Sequence, residues 1–465
     1  MNHKITEKSF YKYIKCPTWV YFDVQEGEQL VDPLLDKLVQ DGLMEEKERE
    51  ILADREDLAE VMHEDPEDAY NQTLEFMKAG RQTIYHGTLM HKYYIGSPDV
   101  FERVEGKSKF GDYYYVAADL KRALSMRDDY KFQGCFYAEL LEKIQGVRPV
   151  QGYVINANKQ IFEYQIDEFE AEYHLTLDGI ERIIAGKEPA HFVTSGCKQS
   201  PWFSKCTSIS ESCDDLSMLN RVWRKEVKGL QDAGIHTIPE LAKKTVVELQ
   251  SLVPDLSQDR LEILRDKALA IRDNKHIIRH KVDFPESDIE LFFDIESDPL
   301  RDHDYLFGVL KVSQEGEEYF SFFSDSKADE EKMWKEFISF VESHMDAPMY
   351  HYGDFEWHVL EHFSKRFGAS ELVRDAFSHN MIDLQVITRD AVVFPLSFYS
   401  LKDLAKYTGF NWRTEGASGA ESVLWFEEWL RTKEDDMLQK ILDYNEDDVI
   451  ATWKLQRWLR ENASL

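Results

Sequence analysis

The sequence has few cysteines, no long apolar run and no Walker A motif. Its 465 residues include five cysteines, too few for the disulfide framework of a secreted domain, so we expect free thiols or metal ligands. No apolar stretch is long enough to span a bilayer, and the N-terminus has no apolar signal core. These absences predict a cytoplasmic protein that does not bind membranes. Without a Walker A motif, the chain is not expected to hydrolyse ATP itself.

Positive charge is also scarce. The chain has 56 lysines and arginines against 88 aspartates and glutamates, which gives a formal net charge of −32. This excess argues against loose, non-specific wrapping of nucleic acid. It leaves room for an enzyme that holds nucleic acid in a local basic channel and uses its carboxylates to bind a metal.

The chain length and the apolar patterns predict an α/β multidomain protein in three parts. Residues 1–210 mix helical and strand-like stretches, and residues 211–285 carry a helical apolar spacing that is broken at Gly234. Strands and helices then alternate through residues 286–465. We therefore expect an N-terminal α/β domain, a helical connector and a C-terminal sheet covered by helices.

The C-terminal part contains a buried strand that ends in acids, "FFDIESD". Asp294 and Glu296 lie two residues apart, so a strand would present both carboxylates on one face. They would repel each other unless a cation lay between them, and hard oxygen ligands suit Mg²⁺ or Mn²⁺. A second acidic segment, "YGDFEW", offers Glu356 after an aromatic residue, with Asp354 as the alternative.

A third acidic segment, "ILDYNEDDVIATWKL", has the apolar spacing of a helix. Tyr444 and Asp448 are four residues apart, so a helix places the phenol and the carboxylate on one face. The neighbouring acids Asp443, Glu446 and Asp447 are predicted to face solvent.

The order of these motifs resembles that of the DnaQ-like 3′–5′ exonucleases of the DEDDy subclass, which have an RNase H-like fold. The resemblance covers residues 288–460 and implies five catalytic residues, which are Asp294, Glu296, Glu356, Tyr444 and Asp448. By that resemblance Asp294 would bridge two metal ions, while Glu296 and Asp448 would complete one site. Glu356 would support the other ion, and Tyr444 would orient the attacking water.

The N-terminal part has a second constellation. Asp99 is predicted on one strand, Asp119 and Lys121 on the next, and Gln133 and Tyr137 on one face of the helix that follows. This order resembles the RecB-family PD-(D/E)xK nucleases, a restriction-endonuclease-like fold. The resemblance implies that Asp99 and Asp119 hold a metal and that Lys121 orients the nucleophilic water. Gln133 and Tyr137 would support the site or contact the substrate backbone.

Four cysteines bear on the same resemblance, because some RecB-family nucleases fasten this domain with a four-cysteine iron–sulfur cluster. Cys16 precedes the nuclease motifs, and Cys197 and Cys206 follow them at the spacing of that pattern. Ser200 stands where the middle cysteine would be, and Cys213 is the substitute from a nearby segment. The alternatives are a 4Fe–4S cluster, a Zn²⁺ site, or ordinary core thiols.

The whole chain resembles a group of predicted RecB-family nucleases that carry two nuclease domains. Its middle segment looks like a helix-hairpin-helix module. The resemblance implies a metal-dependent DNA nuclease with two active sites, acting in DNA processing, repair or defence. The alternatives are a nucleic-acid-binding or scaffold subunit of a helicase or defence complex with one silent site, and an exonuclease that acts on RNA.

Overall fold

The computed structural model of the chain divides into two compact units, Met1–Ser210 and Glu211–Leu465. The residues that it describes are 3–29, 43–55, 57–121, 128–156, 159–299 and 301–463. The helical segment 211–285 and the sheet that follows it lie in the same unit, so the predicted domain boundary near residue 285 stays a prediction. Among the described residues, no helix is both long and apolar enough to cross a membrane.

The first unit contains a mixed six-stranded sheet with the order β2-β3-β6-β7-β8-β9 and a three-stranded sheet with the order β1-β5-β4. Its strands are β1 (Ile5–Thr6), β2 (Leu58–Glu60), β3 (Thr83–Tyr85), β4 (Leu89–His91), β5 (Tyr94–Gly96), β6 (Val100–Ser108), β7 (Gly111–Lys121), β8 (Gln151–Asn156) and β9 (Ile161–Gln165). Its helices are α1 (Glu7–Lys15), α2 (Pro17–Glu26), α3 (Leu43–Leu52), α4 (Pro66–Ala79), α5 (Asp128–Gln145), α6 (Glu170–Ile184) and α7 (Phe203–Ser212), with a 3₁₀ turn at Ser195–Gln199. Strands β6 and β7 are antiparallel, and Val100 lies opposite Ala118.

The second unit begins with four short helices that match the predicted helical segment. They are α8 (Arg224–Asp232), α9 (Ile238–Ala242), α10 (Val246–Leu252) and α11 (Gln258–Asp273), after a 3₁₀ turn at Leu216–Met218. Gly234 follows α8 with a φ of 79°, a left-handed conformation that glycine adopts without steric cost. Thr237 and Thr245 cap α9 and α10, since each side chain accepts a hydrogen bond from a first-turn backbone N–H.

A five-stranded sheet with the order β13-β12-β11-β14-β15 forms the rest of the second unit. Its strands are β11 (Ile289–Asp298), β12 (His303–Ser313), β13 (Gly316–Phe323), β14 (Met349–His351) and β15 (Met381–Asp383), and a separate pair joins β10 (Ile277–Ile278) to β16 (Val392–Val393). The helices are α12 (Glu330–Glu342), α13 (Phe355–Phe367), α14 (Glu371–Asn380), α15 (Leu384–Ala391), α16 (Leu401–Tyr407), α17 (Gly419–Thr432) and α18 (Asp435–Ala463). Strands β11, β14 and β15 are parallel, while β12 and β13 run antiparallel to their neighbours.

Helices cover both faces of this sheet, and the alternation of side chains along β11 decides which acids reach the site. Leu291, Phe293 and Ile295 pack in the cluster formed with α12, α13 and α14. Phe292 points the other way, into the cluster formed with α15, α16 and α18. Because side chains alternate along a strand, Asp294 and Glu296 share the face of Phe292, toward α18.

Candidate active site

Three carboxylates meet where the end of β11 faces α18. One oxygen from each of Asp294, Glu296 and Asp448 lies within 4.8 Å of the other two. Glu296 and Asp448 are buried, and Asp294 is partly exposed. The strand supplies two acids through its two-residue period, and the helix that crosses that face supplies the third. The three acids therefore form a group of oxygen ligands of the kind that binds a divalent cation.

Asn445 fixes the position of Asp294, and the sequence pattern did not single it out. Its Nδ2 donates a hydrogen bond of 2.8 Å to Asp294 Oδ2, and its Oδ1 accepts one of 2.7 Å from the Tyr319 hydroxyl. A Cβ atom at Gly308 would lie 1.6 Å from Asn445 Oδ1. Glycine at this position of β12 therefore leaves the space that the amide needs to reach the carboxylate.

The site disfavours the ionised forms of its own acids. Burial, reinforced by the charge of Asp448, raises the pKa of Asp294 well above its usual range and that of Glu296 to about 8. Burial raises the pKa of Asp448 to about 7, although hydrogen bonds and the charge of Lys402 oppose the rise. The three acids cannot all be ionised at neutral pH unless a cation balances them.

Of the two alternatives in the second motif, Glu356 lies on the side of the site. Asp354 is the residue before α13 and its side chain is 91% exposed, whereas the side chain of Glu356 is 7% exposed. The charge of Glu356 contributes to the raised pKa of Asp294. Among the described residues, its buried Oε2 has no hydrogen-bond partner, and His351 Nδ1 lies 3.7 Å away. A buried carboxylate oxygen without a partner is what a metal or an ordered water would satisfy.

Tyr444 and two residues from other segments surround Asp448. The Tyr444 hydroxyl donates to Asp448, and burial raises the pKa of this phenol far above its ordinary value, so it stays protonated. Trp412 Nε1 donates to Asp448 Oδ1 at 2.9 Å. The Lys402 Nζ lies 5.0 Å from the centre of the Tyr444 ring and donates to the Ala417 carbonyl, and burial lowers its pKa. No local sequence pattern pointed to Lys402 or Trp412.

The prediction that the other acids of α18 face solvent is wrong for Asp447, which is 4% exposed. Arg413 Nε donates to its Oδ1 at 2.8 Å, and the Arg413 backbone N–H donates to its Oδ2 at 2.7 Å. The same guanidinium donates to Glu446 at 2.7 Å and to Asp443 at 3.4 Å, and both of these acids are partly exposed. A loop that packs over α18 therefore buries a face that the helix pattern alone leaves open.

Asp298, the last acid of "FFDIESD", has a different environment from the other two. It is fully buried, and Arg301 Nη1 donates to its Oδ2 at 2.6 Å. Arg301 also pairs with Glu427. This acid is neutralised by a side chain, so it has a structural role and does not belong to the three-carboxylate group.

In the first unit, Asp99 and Asp119 lie side by side. Asp99 is one residue before β6 instead of on it as predicted, because pairing with β7 begins at Val100. Its Oδ2 accepts a 2.6 Å hydrogen bond from the Leu120 backbone N–H, and Asp119 is buried. Tyr137, on α5, is buried too, and its pKa is raised by burial and by the charges of Asp119, Glu7 and Asp99. These groups therefore gather around the phenol.

Glu7 is a carboxylate that the sequence reasoning missed at this place. Its Oε2 accepts a 3.3 Å hydrogen bond from the Ser97 N–H, and its pKa is raised by burial and by the charge of Asp119. On α5, Gln133 has a buried Oε1 with no hydrogen-bond partner among the described residues. Lys121 closes β7, and its side chain lies outside the described residues. In the described part of the chain, three possible metal-ligand atoms lie within 4.8 Å of one another only in the second unit.

Three of the four predicted cysteines come together. Cys16, Cys197 and Cys206 are buried, and the Cys16 thiol lies within hydrogen-bonding distance of the other two thiols. Ser200 is buried, and its Oγ accepts a 3.1 Å hydrogen bond from the Trp202 N–H. Cys213 is exposed. The thiols join the start of α2 to the 3₁₀ turn and α7, which lie far away in sequence.

Comparison with known proteins bears on the second unit. Residues 291–460 match the RNase_H_2 family, described as part of the RNase_H superfamily. A search of curated proteins finds no match to the chain. The matched segment runs from β11 into α18 and so contains the three-carboxylate group, which fits a divalent metal. Residues 291–460 of this chain are an RNase H superfamily domain.

Proposed function

We propose that the protein is a metal-dependent nuclease whose RNase H superfamily domain removes nucleotides from 3′ ends. The observation that carries the proposal is the proximity of Asp294, Glu296 and Asp448, whose ligand atoms lie within 4.8 Å of one another. The polarity rests on the order of the motifs, which resembles that of the DEDDy exonucleases. DNA is the proposed substrate, and RNA is the alternative.

The residues fit Mg²⁺ or Mn²⁺ on two grounds. The donors are hard carboxylate oxygens, and Glu356 adds a buried Oε2 that has no partner among the described residues. Asp294, Glu296 and Asp448 would hold the metal, and Glu356 would support it. When bound, divalent ions activate a water and neutralise charge on the leaving oxygen.

The protein groups around the acids have separate tasks. Asn445 holds the Asp294 carboxylate in place through its 2.8 Å hydrogen bond. Tyr444 stays a neutral phenol beside Asp448, so its hydroxyl can orient a water without adding negative charge. Trp412 and Tyr444 both donate to Asp448 and limit its rotation, which preorganises the site.

The test is hydrolysis of end-labelled single-stranded DNA, duplex DNA and RNA with Mg²⁺, Mn²⁺ or EDTA. We expect metal-dependent shortening of a 5′-labelled strand in single-nucleotide steps and release of a 3′ label as mononucleotide. Asp294→Asn should abolish both. Asp354→Asn is the matched control, because its side chain is 91% exposed, and it should act like wild type. Loss of activity in Asp354→Asn as well as in Asp294→Asn would reassign the second motif to Asp354.

We also propose a second, RecB-like nuclease site in the first unit. The specific support is the hydrogen bond from Leu120 N–H to Asp99, which holds that carboxylate beside Asp119 and close to Tyr137. Asp119→Asn in an Asp294→Asn background should remove any metal-dependent cleavage that survives the first substitution. Cleavage that persists in the double variant would exclude this assignment.

The cluster of Cys16, Cys197 and Cys206 supports a metal staple in that same unit, either a 4Fe–4S cluster or Zn²⁺. Protein purified without oxygen should contain iron, with absorbance near ~400 nm, or zinc. If the protein contains neither metal, the metal staple is refuted and the cysteines are ordinary core thiols. The alternative is a scaffold subunit of a helicase or defence complex, which would bind nucleic acid although one of its two sites is inactive. Asp294→Asn and Asp119→Asn test the two sites separately and so show whether one of them is inactive.

A further inference from the structure

A basic cavity of ≈ 850 Å³ lies in the second unit, apart from the three-carboxylate group. Its size is within the range of ligand-binding pockets. The cations that line it are Arg221, Arg260, Lys267, Arg279 and Arg389. The acids of the lining are Asp259 and Asp390. In a chain with a formal net charge of −32, such a concentration of positive charge is a local feature that composition does not predict.

Some of these cations are paired and serve the fold. Arg260 donates to both oxygens of Glu226, at 2.6 and 2.8 Å, and Arg279 pairs with Asp266. Arg389 Nε donates to Asp390 Oδ1 at 2.8 Å. These ion pairs hold the cavity wall, so none of the three arginines is a free ligand. They also keep three guanidinium groups fixed beside the cavity.

Two other cations are not neutralised. Within the described part of the chain, neither Arg221 nor Lys267 forms an ion pair, and Arg221 is exposed. Lys267 is 8% exposed, and its Nζ donates at 2.7 Å to the Asn220 carbonyl. Burial and the charges of Arg260, Arg221 and Arg279 together lower the pKa of Lys267 to about 8, although the charge of Glu226 opposes this. A bound anion would relieve this repulsion.

An aromatic ring stands beside the cations. Trp223 lines the cavity and is 65% exposed, although its backbone is fixed because its N–H donates to Glu226 at 2.8 Å. A tryptophan face held open to solvent is a platform on which a nucleobase can stack. Cations with an exposed ring beside them are the combination that binds a single strand.

The cavity adjoins the segment that reaches the acids. Tyr399 lines the cavity, and Lys402, three residues later, lies beside Tyr444. Three peptide units span at most about 11 Å between Cα atoms. Asn220 Nδ2 also donates at 3.1 Å to the Ser397 carbonyl, which ties the cavity wall to the same segment.

We propose that this cavity binds the backbone of a single-stranded nucleic acid behind the 3′ end that the acids process. Arg221 contacts a phosphate, Lys267 supplies positive charge from the floor, and Trp223 stacks on a base. The inference deepens the proposed function and rests on it, since it names the part of the substrate that a second site of the same unit holds.

The test measures binding of a labelled single-stranded DNA 20-mer in EDTA, by fluorescence anisotropy between 50 and 200 mM salt, so that hydrolysis plays no part. Arg221→Gln should weaken binding and reduce the salt slope by about 0.7, as expected for one lost phosphate contact on a single strand. Trp223→Ala should weaken binding roughly 5- to 150-fold. The control is Lys335→Gln/Lys365→Gln, which should bind the strand like wild type. Both lysines are exposed, and each pairs with a glutamate four residues away.

The outcomes separate this inference from the proposed function. If the wild type trims 3′ ends and the cavity variants bind the strand normally, only the inference about the cavity is wrong. If the wild type trims nothing and the cavity variants lose binding, the cavity binds the strand but the proposed exonuclease activity is refuted. Inorganic phosphate and a nucleoside monophosphate are the competing probes. If the substitutions weaken mononucleotide binding but leave the strand's affinity unchanged, the cavity is a small-ligand site and the inference is wrong.

Discussion

Asp294→Asn should stabilise the metal-free protein. Its carboxylate has partner oxygens within 4.8 Å. At that separation, two full charges in an effective dielectric of 20 repel by about 3.5 kcal/mol. The pKa of Asp294 is raised well above its usual range, and those of Glu296 and Asp448 are about 8 and about 7. All three acids are therefore only partly ionised near pH 7.5, and the gain should be about 1–2 kcal/mol. The new side-chain carbonyl can still accept the hydrogen bond from Asn445.

The assay is thermal unfolding in EDTA and in excess Mg²⁺. One kcal/mol moves the midpoint of a domain of this size by about 2–4 °C, so the substitution should raise it by about 2–8 °C in EDTA. At ten times its dissociation constant, Mg²⁺ should stabilise wild type by about 1.4 kcal/mol, and the variant should not respond. Asp354→Asn, at an exposed position, should match wild type in both buffers. A variant that is less stable in EDTA and still gains stability from Mg²⁺ would refute the reasoning.

Three further predictions follow from the same site. The pKa values of Glu296 and Asp448 are raised from 4.5 to about 8 and from 3.8 to about 7, so the native state binds extra protons at this site. The contribution of these two acids to metal-free stability should be greatest below about pH 4 and decline toward pH 8, as measured by unfolding at each pH, and Mg²⁺ should flatten the decline. Gly308→Ala places a methyl group against the Asn445 amide, and should lower the activity and reduce the free energy of unfolding by about 1–3 kcal/mol. Gly419→Ala is the control, because nothing lies within 4 Å of the added methyl group, and it should change neither quantity in the same assays. Tyr444→Phe should lower kcat at least tenfold with metal affinity unchanged in a titration, and an equal loss in metal affinity would show a ligand-positioning role instead.

Local periodicity accounts for what the sequence predicted well. The strand around Asp294 and the helix around Asp448 were both expected, because apolar spacing reports which face of an element is buried. The same two-residue period correctly placed Asp294 and Glu296 on one face. Asp298 shows the limit of the pattern, since it is in phase with them but Arg301 neutralises it.

Residues that arrive from distant segments could not be predicted. Arg413 buries Asp447 from 34 residues away, and Trp412 reaches Asp448 across a similar separation. Nothing local to Lys402 marks it as a neighbour of the acids. The basic cavity has the same origin, because its cations are spread over residues 221–389 and only folding brings them together.

Anomalous diffraction from crystals soaked in Mn²⁺ tests the central claim most directly, because it locates the metal without relying on activity. We predict Mn²⁺ bound by oxygens of Asp294, Glu296 and Asp448, at roughly the 2–2.5 Å of carboxylate–metal bonds, and no such peak in Asp294→Asn crystals. Wild-type crystals that show no Mn²⁺ at these carboxylates, at a concentration that supports activity, would contradict the account.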